Sequence, residues 1–186
     1  DISFRHQTHA YVLRSPHAHA DLKTIDVAEA IKAPGVVAVL TGADLAADGI
    51  GGIPCTYLPP VPPGVDPDAW DIVRPPFMAL AQDRVRLVGE GVALVVAETA
   101  QQARDAAELI VVEYDPLPSV SSIAAAAKPG APEIWAQAPG NICFRWEDGD
   151  RGPVDAAFEG AAHVVGLDAI NNRVVLAAIE TRGVVA

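Results

Sequence analysis

Residues 84–118, RVRLVGEGVALVVAETAQQARDAAELIVVEYDPLP, decide the fold class. Within them VALVVA (92–97) is apolar at every position, the pattern of a strand at the centre of a sheet covered on both faces. The preceding RVRLV (84–88) alternates, which predicts a second strand pairing with it as a hairpin across Gly89-Glu90-Gly91. Thr99 and Gln102 have capping-box spacing, and Ala100, Ala103, Ala107 and Ile110 form the apolar stripe of a helix. Alanines on that stripe let the helix approach a sheet closely, which is a packing role and carries no chemistry. IVVEYD then returns as a strand, so strands and helix share one layer system and the class is α+β.

Working outward, THAYVLRS (8–15) alternates as a strand that Ser15-Pro16 ends, since proline cannot continue a ladder. LKTIDV reads as a second strand. Asp26 is placed to N-cap the helix VAEAIKA, whose Val27, Ala30 and Ile31 share a face and which Pro34-Gly35 stops. VVAVLTG (36–42) is the next strand, and ADLAADG a short helix ending at Gly49. Residues 54–76 then hold eight of the sixteen prolines, including LPPVPPG. That density favours polyproline II, either as a plain surface connection or as a partner contact. Downstream, AAAAKPGAP, QAPGN and EDGDRGP make residues 121–152 a connector. From Pro153, VDAAFEGAAHVVGLDAINNRVVLAAIETRGVVA reads as a short helix, a strand, a turn at Asn171-Asn172 and a further strand. The final GVVA stops in mid-pattern, which predicts a domain needing partners for its sheet edge.

Bulk properties exclude several classes. A chain of 186 residues, 51% hydrophobic, has enough apolar material for one full core. The net charge of -11 repels phosphate backbones, and no Lys/Arg cluster marks a nucleic-acid footprint. VALVVA is far short of the ~20 apolar residues that cross a bilayer, and the start of the chain shows no secretory signal pattern. Cys55 and Cys143, 88 positions apart, form no CxxC pair and fall short of the four thiolates of an iron-sulfur cluster. They read as two reduced, semi-buried thiols of a cytoplasmic protein, with a disulfide between them as the alternative.

The candidate chemistry is thin. His17 and His19 would point to the same side of an extended chain, but two imidazoles fall short of a zinc site, and His6 and His9 lie in an unplaced segment. Ser15 and His17 are better suited to hydrogen-bonding the turn after the first strand. GIGGIP (49–54) fails the GxGxxG pattern at Pro54, and no GxSxG occurs. Glu90, between two glycines, could act as a general base or accept backbone amides at a tight turn.

The ordered strings YVLRSPHAHADLKTID, APGVVAVLTGADL, ALAQDRVRLVGEGVALVVAET, AAELIVVEYDPLP and PGN…GD…VDAAF…AHVV resemble the large-subunit family of molybdenum hydroxylases. Xanthine dehydrogenase, aldehyde oxidase and aerobic carbon monoxide dehydrogenase belong to that family. The resemblance runs from about residue 8 to the end and implies an α/β hammerhead domain over residues 1–125, a connector over 126–152, and the truncated beginning of a molybdopterin-binding domain over 153–186. Two departures stand out. The family usually has proline after the glycine-glutamate pair, where this chain has Gly91. It also usually reads MEPR where this chain has Ile179, Glu180, Thr181 and Arg182.

The family's glycine-rich cofactor loops and catalytic glutamate lie beyond the point corresponding to Ala186. The resemblance therefore assigns no catalytic, cofactor-binding or metal residue to this chain, and Glu90 and Glu180 are given scaffolding roles. It implies molybdenum-molybdopterin in the complete enzyme, with iron-sulfur clusters and FAD on other subunits or segments. The implied partners are the remainder of the large subunit, the iron-sulfur and flavin subunits, and a small-molecule substrate. The competing reading is a stand-alone interaction module without redox activity. A reading frame continuing into cofactor loops separates the two.

Overall fold

The structure, a computed structural model, describes residues 4–55, 72–145, 147, 149–171, 179 and 184. It divides into two units, residues 1–146 and 147–186. The first contains two three-stranded antiparallel sheets. In one, β5 (Gly91–Ala97) lies between β1 (His9–Arg14) and β3 (Val36–Thr41). In the other, β2 (Ala20–Asp26) lies between β4 (Arg84–Val85) and β6 (Val111–Pro116).

β5 is central because it is the most apolar of the described strands. Ala93, Val95 and Ala97 on one face are fully buried against α3 (Ala100–Ala107), together with Ala103, Ala106 and Ala107 of that helix. Val92 packs instead with Ala20, Ala81 and Val85 beneath the second sheet. Leu94 and Val96 are only half-buried, so one face of the strand is partly open. Ile25 and Val112 touch both clusters, so the two cores abut through β2 and β6. Small side chains set the helix-to-strand distance, and close packing makes each added methylene costly there.

The hairpin expected at 84–97 does not form. β4 and β5 lie in different sheets: Arg84 and Val85 pair with Asp21 and Ala20, while Arg14 pairs with Gly91. Ser15 holds the intervening turn, receiving the Gly89 N–H at 2.8 Å and donating its own N–H to Glu90 O at 2.9 Å. Gly89, at φ +88°, supplies the left-handed residue that the turn requires. The chain switches sheets at this turn instead of reversing on itself.

Four local expectations also change. α1 (Ala28–Lys32) has Val27 at its N-cap position, one residue after Asp26, although the Asp26 carboxylate still accepts the Ala28 N–H at 2.9 Å. Ala30 is buried but Ile31 is 54% exposed, because only the alanine side of this five-residue helix meets the core. On α3 it is Ala106, not the exposed Ala100, that completes the buried stripe. Only half of its expected capping box is made, Thr99 Oγ1 accepting the Gln102 N–H at 3.2 Å. α2 (Gly42–Ala47) has a cap the sequence reading missed: the Asp44 carboxylate accepts both the N–H and the hydroxyl of Thr41 at 2.7 Å. Gly42 opens that helix where a side-chain Cβ would run into the Ala81 carbonyl.

Residues 120–145 carry α4 (Ile123–Ala126) and one 3-10 turn (Pro139–Asn141). Asn141 ties this stretch together. Its amide nitrogen donates to the carbonyls of Ala126 and Pro132, and its oxygen accepts the Ile134 N–H, all at 3.0 Å. In the second unit, Asp150 caps α5 (Arg151–Gly160), accepting the Gly152 N–H at 3.0 Å. Every described residue from 147 to 171 is exposed, including Phe158, Val165, Leu167 and Ile170. The strand expected after α5 is absent from residues 161–171. Asn172, Glu180 and most of the second expected strand lie outside the described residues, as do residues 56–71 of the proline-rich stretch.

Candidate functional site

Two clusters of polar side chains form where the chain passes between the sheets. The first follows β1. The Ser15 hydroxyl accepts the His17 N–H at 3.0 Å and lies 3.3 Å from His17 O, closing the turn as the residue types suggest. The His17 ring packs against Tyr114 of β6, centroids 4.6 Å apart and tilted by 48°. His19 goes elsewhere. It is 5% exposed, and its Nδ1 donates to the Pro118 carbonyl at 2.7 Å. The two histidines thus have separate partners because the chain between them bends. Burial raises the Tyr114 phenol above its ordinary value, offset in part by a hydrogen bond with Ser15.

The second cluster surrounds the Gly89 turn. Of the two roles open to Glu90, the structure shows amide acceptance: Oε2 receives the Arg86 N–H at 2.5 Å. The Arg86 guanidinium lies over the Trp135 ring, 3.9 Å from its centroid, a cation–π contact. Its Nη1 donates to Arg84 O at 3.1 Å, while its Nε is buried and without a hydrogen-bond partner. An orphaned buried donor costs about 1–3 kcal/mol, so this is the least satisfied polar group of the cluster. Beside it, Arg84 Nε donates to Asp21 Oδ1 at 2.6 Å, joining β4 to β2. That hydrogen bond holds the Asp21 carboxyl below the usual carboxylate range and the Arg84 guanidinium above its own. Arg86, Glu90, Trp135 and their neighbours line a cavity of about 160 Å³.

Neither Arg86 nor Trp135 was singled out by the sequence reading. They lie 49 positions apart, and only the fold brings them together. Among the described residues, no three His, Cys, Asp or Glu side chains converge, so these residues provide no ligand set for a metal centre. Cys143 is half-buried in the first unit, its carbonyl accepting the Val73 N–H at 2.8 Å, and no disulfide joins it to the exposed Cys55. No helix among the described residues is long and apolar enough to cross a membrane.

Two antiparallel sheets with a helix laid on one, joined by hydrogen-bonded turns, define a mixed α/β packing domain. Residues 1–118 match the family described as the aldehyde oxidase and xanthine dehydrogenase a/b hammerhead domain, and the chain belongs to that family. It is 37% identical over its whole length to the nicotine 6-hydroxylase large subunit of Paenarthrobacter nicotinovorans, covering 21% of that protein. It is 36% identical to the carbon monoxide dehydrogenase large chain of Afipia carboxidovorans, over 84% of this chain and 19% of the relative. Among solved structures, the carbon monoxide-reduced Cu,Mo-CO dehydrogenase aligns at TM-score 0.68 and 31% identity, covering 87% of this chain and 20% of that one. Quinoline 2-oxidoreductase from Pseudomonas putida 86 aligns at TM-score 0.55 and 38% identity, covering 68% and 15%. The chain spans about one fifth of the length of the curated relatives it matches.

Proposed function

We propose that this chain is the hammerhead portion of the large subunit of a molybdenum-dependent hydroxylase, scaffolding a cofactor domain and not catalytic alone. The observation that carries the reading is the whole-length similarity to a hydroxylase large subunit of which the chain spans only 21%. The donor set does not fit a resident metal: among the described residues no three His, Cys, Asp or Glu side chains converge. The His17 ring packs on Tyr114, His19 is held through Nδ1 by Pro118 while its buried Nε2 has no partner, and Glu90 accepts a backbone amide. The chain's own contribution is therefore a rigid packing surface. In the complete enzyme, molybdenum-molybdopterin supplies oxidation or hydroxylation of a small substrate with water-derived oxygen.

On this reading residues 1–125 are the hammerhead domain, 126–152 the connector and 153–186 the beginning of the molybdopterin-binding domain. The exposure of Val165, Leu167 and Ile170 supports an incomplete second domain, because apolar side chains at 86–89% exposure in one short stretch are expected to pack against something. Iron-sulfur and flavin centres reside on partner subunits or segments, and the enzyme is cytoplasmic.

An antibody raised against this chain tests the reading on extracts of the native host. The expected result is a polypeptide roughly five times its length, co-purifying with iron and flavin. A band at the size of this chain, with neither, would overturn it in favour of a stand-alone module.

A further inference from the structure

We draw no further inference here: the strongest candidate, the apolar surface patch beside Arg14 and the Gly89 turn, where Val12, Ile53, Phe77 and Leu87 line one open cavity, carries nothing because nothing in the structure shows what covers it.

Discussion

Residues 76–90 and residues 91–107 follow one another in the chain, yet different forces hold them. From Gly91 onward the buried contacts of β5 and α3 are made by alanine and valine methyl groups: Ala93, Val95, Ala97, Ala103 and Ala106 are all fully buried. Before Gly91 the buried Leu80, Ala81 and Val85 are joined by polar ties that the second region lacks: Arg84 on Asp21, Arg86 on Trp135 and Glu90 on a backbone amide. Dry packing depends on volume and is indifferent to pH, whereas the polar joint depends on charge and on donors being matched.

The contrast can be broken at four points. Ala106→Leu forces three extra carbons between α3 and the sheet, and should cost about 3 kcal/mol, lowering the melting temperature by roughly 10 °C. A loss under about 1 kcal/mol would mean that the helix can slide away from β5, and that the packing is looser than the buried alanines imply. Val95→Ala removes two fully buried methyl groups and should cost about 2 kcal/mol by chemical denaturation, with the denaturant slope unchanged. Trp135→Leu removes the face on which Arg86 rests and should cost about 1 kcal/mol. Hydrogen exchange should then rise around residues 84–90 and stay unchanged in β5; equal loss in both would show that the regions are one cooperative unit.

The smallest effect is expected of Asp21→Asn, and its signature is the pH dependence. The Arg84 hydrogen bond lowers the Asp21 pKa in the folded state, so the pair's contribution is present above the unfolded carboxylate value and is lost as pH falls through the folded one. The variant should therefore melt below the parent at pH 7 and converge with it below about pH 4. Thermal melts across that range check it, with Val95→Ala, whose deficit should persist at every pH, as the internal standard.

The half of the molecule legible in its sequence is the dry half. β5, α3 and β6 follow from VALVVA, the alanine stripe and IVVEYD, because period and capping are local signals. Gly49 stops α2 where turn chemistry predicts. The polar joint was not legible. β4 was assigned to β5 because the two are adjacent in sequence, while its true partner is β2, met across 63 residues through the Arg84–Asp21 pair and the burial of Val85 with Ala20. Side-chain type alone could not pair Arg86 with Trp135 or show that Asn141 knits residues 126–134, since each contact joins segments with no shared periodicity. Glu90 was noticed for its place between two glycines, but the group to which it answers, the Arg86 amide, emerged only from the turn geometry.

The central claim, that this hammerhead scaffold serves a molybdenum enzyme without itself supplying the metal site, is tested most directly by plasma mass spectrometry. Molybdenum is measured on the complex purified from the native host and on the isolated 186-residue chain refolded with molybdate and cofactor. The account predicts stoichiometric molybdenum in the complex and none retained by the isolated chain. Molybdenum absent from the complex, or held stoichiometrically by the isolated chain, would contradict it.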